Sequence, residues 1–210
     1  MNVYARYYSE NGLNFRTNTI LQFGDSWNVI GASVLINPGS ADSIGDVTQD
    51  ELAHLKAVTK HTSNWCRFSS DPTMNQLAKI FNGWYLGKEK ALNGIILLSN
   101  LFNLRDKDLN QALELQKSCC SELLFSTDAD IAALEDTDNI YLGWGNTGKG
   151  ALRHYAQQIF NAVKSRIGYY VDSDFDRNAF YHPGYVNRSY RYNATTQRIL
   201  TQFAGHISYK

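Results

Sequence analysis

The chain has 210 residues, 43% of them hydrophobic and 19% charged, with 20 basic and 20 acidic side chains. That composition fits a single globular domain over 1–210 with a sizeable core, and it excludes a disordered or fibrous chain. Three cysteines, two of them adjacent at Cys119 and Cys120, give neither a disulfide framework nor a paired metal-binding spacing, so no metal is expected.

The opening residues 1–8 lack the apolar centre of a leader, and the longest aliphatic run, 95–98, is far too short to cross a bilayer. A cytoplasmic monomer is the expectation. From Lys149 onward there are 9 Lys and Arg against 3 Asp, while residues 1–148 carry 11 basic and 17 acidic side chains. Within the basic part, Arg188, Arg191 and Arg198 are interleaved with Tyr181, Tyr185, Tyr190 and Tyr192, a mixture suited to phosphate contact and base stacking. DNA is therefore the expected partner.

In chain order, the first 25 residues, with 13–23 among them, read as extra strands or a hairpin at an edge. Residues 27–36 read as a strand. Helical patterns follow over 48–62, opening with the capping series Thr-Gln-Asp-Glu, and over 71–86, opening Asp-Pro-Thr. A strand over 94–99, helices over 108–124 and 128–134, and a strand over 139–143 come next. A helix over 150–166, a fourth strand over 167–171 and a terminal helix over 195–207 complete the chain. Alternation of this kind predicts an α/β three-layer sandwich: a central, mainly parallel four-stranded sheet flanked by helices, with extra N-terminal strands.

Ligands of open parallel sheets bind beyond the carboxyl ends of the strands, so polar residues there are the candidates. The first strand ends in Asn37-Pro-Gly-Ser-Ala-Asp42, good turn chemistry that also gathers polar groups. The second ends in Asn100-Leu-Phe-Asn-Leu-Arg105. The third ends in a glycine-rich run, 143–149, ahead of a helix whose N–H groups can receive a phosphate. That run lacks the spacing of a nucleotide-cofactor loop, so no cofactor is expected. After the fourth comes His182-Pro-Gly-Tyr-Val-Asn187.

Asn-Pro-Gly after a first strand, Ser-Asn-Leu-Phe-Asn-Leu-Arg after a central one and a late His-Pro-Gly-Tyr-Val-Asn resemble the three signature segments of the uracil-DNA glycosylase superfamily. The match covers most of residues 27–190. The chain also resembles an uncharacterised bacterial domain family with the pattern L-N-P-S-T-A-D, D-P-T, N-L-F-x-x-R and W-G. Here those segments begin at Ile36, Asp71, Asn100 and Trp144.

The superfamily resemblance implies a monofunctional glycosylase that flips a pyrimidine out of DNA and hydrolyses its N-glycosidic bond. Asn37 would position water, with Asp42, and Asp46 behind it, as the nearby carboxylates. Asn100 would read the base edge, beside Phe102 and Ser40, and His182 would donate to the departing base. Gly39 stands where strict uracil enzymes carry a tyrosine against C5, which implies a 5-substituted or modified pyrimidine, including the hypermodified cytosines of phage DNA. Tyr185 or Val186 would wedge the duplex, and Lys149, Arg188 and Arg191 would meet its backbone. A nucleoside or nucleotide hydrolase and a non-catalytic nucleic-acid-binding module are the competing readings.

Overall fold

The computed structural model describes residues 1–169 and 171–207. Its strands are β1 (Asn2–Glu10), β2 (Leu13–Phe23), β3 (Val29–Leu35), β4 (Ser43–Asp46), β5 (Trp65–Phe68), β6 (Gly94–Asn100) and β7 (Ile140–Leu142). They form one seven-stranded mixed sheet in the order β4-β5-β1-β2-β6-β3-β7. Seven α-helices occur among the described residues: α1 (Gln49–Thr59), α2 (Pro72–Phe81), α3 (Leu109–Ser118), α4 (Asp128–Glu135), α5 (Arg153–Val163), α6 (Pro183–Ser189) and α7 (Ala194–His206).

The α/β class agrees with the sequence, but the expected mainly parallel four-stranded sheet does not. Only β3 with β6 and β3 with β7 pair in parallel; β1–β2, β1–β5, β2–β6 and β4–β5 are antiparallel. The amino-terminal hairpin lies inside the sheet rather than at its edge. Its turn residues Asn11 and Gly12 take φ of 52° and 76°, the left-handed pair a two-residue hairpin requires. Both strands bury residues on both faces, Val3 and Tyr4 in β1, Ile20 and Leu21 in β2, and so need neighbours and cover on each side. The exposed edge is β4. Residues 167–171 contribute one parallel bridge, Ile140 to Ile167, and Tyr170 lies outside the described residues. Gly168 follows that bridge, its N–H donating to the Ile140 carbonyl at 3.3 Å, and a Cβ there would stand 2.9 Å from the Phe203 ring.

Local chemistry explains the helix limits. Thr48 and Glu51 form a reciprocal capping box on α1, which ends at Lys60 in the left-handed conformation. Asp71 caps α2 through the Met74 N–H, and Pro72 occupies its first turn. That helix stops before Gly83, at φ 79°, short of the expected 86. Helices α2, α6 and α7 cover one face of the sheet with Leu77, Phe81, Val186 and Phe203 over Leu21, Leu98 and Tyr141. On the other face α3, α4 and α5 cover Ala32, Val34 and Ile140, while Leu55 of α1 packs on Tyr4, Ile20 and Ile95.

This winding creates a switch point. From β3 the chain runs out to the far edge through β4, α1 and β5, and α2 brings it back on one face to β6; from β6 it passes through α3 and α4 on the other face to reach β7. The adjacent carboxyl ends of β3 and β6 therefore diverge to opposite faces and open a crevice between them.

Candidate active site

A cavity of about 270 Å³ occupies that crevice. Leu35, Asn37 and Gly39 line it from the end of β3, Leu98 and Asn100 from the end of β6, and His182 from the start of α6. Three segments distant in sequence thus meet at one place. Its volume falls just below the roughly 300–1,000 Å³ of most ligand pockets, a size that leaves room for a small ring.

Each polar group is held in a defined state. The Asn37 Nδ2 donates to the carbonyls of Asp106, at 3.0 Å, and Pro38, at 3.2 Å. Its Oδ1 has no donor among the described residues and is left to accept from a ligand or a water. Asn100 is 4% exposed, and among the described residues its amide has no hydrogen-bond partner. A buried amide with both ends open to a cavity can be satisfied there by a ligand or a water.

His182 caps α6: its Nδ1 accepts the Gly184 N–H at 3.1 Å. The neutral ring therefore carries its proton on Nε2, a donor. Burial pushes the His182 pKa below the ordinary histidine value, opposed by the Asp71 charge and reinforced by Arg188. The ring is anchored by what precedes it: the Tyr141 hydroxyl donates to the Tyr181 carbonyl at 2.5 Å, and the Gly145 N–H donates to the Phe180 carbonyl at 2.6 Å.

Two further charged residues line the cavity. Asp71 is 7% exposed; its Oδ1 accepts the Met74 N–H at 2.8 Å, and its Oδ2 stands 3.9 Å from Nη2 of Arg16. Arg16, in β2, is 2% exposed, and its Nε and Nη1 are buried without an acceptor. Burial lowers its pKa to about 10 against the pull of Asp71, so it stays charged at neutral pH. Lys107 lines the same cavity and is exposed, which puts it at the rim. Sequence reasoning missed Arg16 and Lys107 and took Asp71 as a helix start and a family motif.

The remaining expected site residues lie elsewhere. Asp42 does not line the cavity: its side chain is 79% exposed and pairs with Arg105 at 2.5 Å. Arg105 also donates to the carbonyls of Ala41, at 3.1 Å, and Ser40, at 3.4 Å, and so tethers the loop that follows Asn37. Ser40 is exposed and Asp46 lies on the exposed edge strand. Phe102 is wholly buried in the core under α3–α5. Val186 is also wholly buried, because α6 turns that residue toward the sheet, so the surface contact expected of it is unavailable.

Of the expected DNA-facing residues, Tyr185 is 37% exposed with its ring 4.6 Å from that of Tyr181. Arg188 is exposed, and Arg191 donates to the Tyr190 hydroxyl at 2.9 Å. Lys149 donates to the Asp176 carbonyl at 2.7 Å, and Arg153, which opens α5, pairs with the Asp176 carboxylate at 2.6 and 2.7 Å. The glycine-rich run serves packing: a Cβ on Gly148 would stand 2.2 Å from the buried Trp144 ring.

Among the described residues no group of three His, Cys, Asp or Glu side chains is placed to hold a metal ion, and no helix is long and apolar enough to cross a membrane. Comparison with family models, with curated proteins and with solved structures finds no match to this chain.

Proposed function

We propose that this chain is a monofunctional DNA glycosylase of the uracil-DNA glycosylase type, which flips a modified pyrimidine into the switch-point cavity and hydrolyses its N-glycosidic bond. One observation carries the reading: Asn37, Asn100 and a neutral, Nε2-protonated His182 line one small cavity. The parallel run β6-β3-β7, with the Ile140–Ile167 bridge beside it, is the part of the mixed sheet that fits the parallel core of that superfamily.

The chemistry follows from these groups. As the bond from C1′ to the base nitrogen breaks, the electron pair leaves with the base and the sugar becomes cationic. The Asn100 amide pairs with the donor and acceptor on the base edge. His182 donates from Nε2 to the pyrimidine oxygen on which negative charge collects, a contribution of about 2.7–4 kcal/mol for a well-placed donor. A neutral histidine suits this work, since its Nε2–H is too weak an acid to be transferred and stabilises the anion by donating a hydrogen bond. Asn37 Oδ1 accepts from a water and aims its oxygen at C1′. That oxygen bonds to C1′, and the proton it sheds balances the one the departing base acquires.

Delivery of the base costs a few kcal/mol of lost pairing and stacking. Tyr185 is the exposed aromatic on the helix that starts at His182 and is the wedge in this reading. Lys107, exposed at the rim, and Arg188, exposed and close enough to act on His182, would meet phosphates.

End-labelled duplexes and phage DNAs carrying uracil, mismatched thymine, hydroxymethylcytosine or glucosylated hydroxymethylcytosine test the proposal through alkali-labile abasic sites. Sites at one base only, lost in Asn37→Ala, are the expected result. A folded protein that binds these DNAs and leaves no abasic site on any of them overturns it and directs the search to free nucleosides.

A further inference from the structure

Arg16 and Asp71 play no part in the hydrolysis above, yet they are the most buried charges in the cavity. Burying a guanidinium without hydrogen bonds is costly, and here none of its N–H groups meets an acceptor among the described residues. Its neighbours are the Phe68 ring, 5.5 Å away, and Asp71 at 3.9 Å, too long for a hydrogen bond. On the Asp71 side, Oδ1 is used by the α2 cap and Oδ2 is not. A donor set and an acceptor therefore face each other across a gap that one oxygen atom can bridge.

We propose that Arg16 and Asp71 form a subsite for a hydroxyl group on the bound base, so that the pocket, if it is the base pocket of a glycosylase, selects 5-hydroxymethyl pyrimidines over thymine. A hydroxyl accepts from Arg16 and donates to Asp71 at once. A methyl group in the same place would leave Arg16 and the Oδ2 of Asp71 without a hydrogen bond. A carboxylate or phosphate would satisfy Arg16 but meet the Asp71 charge, and an ammonium would meet that of Arg16.

Depth assigns the hydroxyl to the base rather than the sugar. Arg16 and Asp71 are 2% and 7% exposed, whereas Lys107 is exposed at the rim, where sugar and phosphate stay. With the pairing edge facing Asn100 and an oxygen facing His182, the C5 side is the part of the ring left for this pair. Gly39 keeps the path open: a Cβ there would stand 3.1 Å from Asp71 Oδ2.

The test compares single-turnover cleavage of matched duplexes carrying uracil, thymine or 5-hydroxymethyluracil opposite guanine, for the unaltered protein, Arg16→Met and Gly39→Ala. Calorimetric binding of free 5-hydroxymethyluracil and thymine, and thermal melts of each variant, accompany it. The unaltered protein should favour the hydroxymethyl base over thymine by about tenfold or more, and each variant should bring the ratio within about threefold. A ratio near one in the unaltered protein, or a ratio that survives both variants, overturns the subsite. If none of these duplexes is cleaved, the glycosylase reading stands or falls on the modified-cytosine DNAs above, and the free-base binding ratio decides the subsite: preference lost in Arg16→Met sustains it, equal binding overturns it.

Discussion

The two ends of the sheet each hold a cavity, and the larger one is the poorer candidate. At the amino ends of β3 and β7 a groove of about 800 Å³ runs past Asn28, Asn93, Asp138 and Arg166. Its polar groups serve one another: Asn93 Oδ1 accepts the N–H groups of Asp25 and Ser26 at 3.2 and 3.0 Å, and Arg166 pairs with Asp138 at 3.0 Å. The carboxyl-end cavity, about 270 Å³, holds Arg16 and Asn100 with their hydrogen-bonding capacity unspent. Unspent capacity in a buried place, rather than volume, marks where a ligand belongs.

The sharpest way to break that comparison is through stability. Asp71→Ala strands the buried Arg16 charge and uncaps α2, and should cost about 3–5 kcal/mol in urea denaturation. Asp138→Ala, which opens an exposed pair at the other end, should cost at most about 1 kcal/mol. Equal losses would mean that the carboxyl end is no more strained than the amino end.

Turnover should separate the two ends next. His182→Ala and Asn37→Ala are each expected to lower kcat by about 10²–10³-fold, while Arg166→Ala should leave it within about twofold. A large loss from Arg166→Ala would move the active site to the groove.

A smaller effect belongs to the tether. Arg105→Ala frees the loop behind Asn37 and should lower kcat by about tenfold, below the roughly 10²-fold that misplacement of reacting groups can cost. Asp42→Ala removes one of the Arg105 contacts and should cost less; an equal or larger loss would return Asp42 to the chemistry.

The smallest effect is one of pH. Burial holds the His182 pKa below 6.5, so between the folded value and 6.5 the unfolded chain binds more protons than the folded one. Stability is then fully present above 6.5 and falls as the pH drops through the folded value. Melting temperature against pH should show that acid-side slope, and His182→Ala should flatten it.

Much of the scaffold was legible because its determinants are local. The Thr48–Glu51 box and Asp71 with Pro72 each lie within a few residues, where hydrogen bonds and φ preferences act directly. That Asn37 and Asn100 line the cavity was legible for a related reason, since strand ends can be read from apolar runs and strand ends of parallel sheets are where ligands go; Gly39 and His182 were singled out by the family resemblance, and the expected fourth strand before His182 is a single bridge.

Arg16 could not be found that way. In β2 the pairing with β1 slips between Tyr4 and Arg6, Tyr4 facing Ile20 and Arg6 facing Thr17, with Asn18 at φ 48° inside the slip. One extra residue swaps the faces. Counting in twos from Ile20 puts Arg16 on the face covered by α1 and α3–α5; the bulge sends Phe15 to that face, under α3–α5, and turns Arg16 to Phe68, Asp71 and the cavity. By itself the sequence determined the caps, the turns and the polar strand ends, since each depends on neighbours a few residues away. Tertiary structure alone decided that the hairpin joins β6, that Arg105 holds the loop of Asp42, and that Arg16 meets Asp71, because pairing across a sheet depends on partners whose distance along the chain carries no local signal.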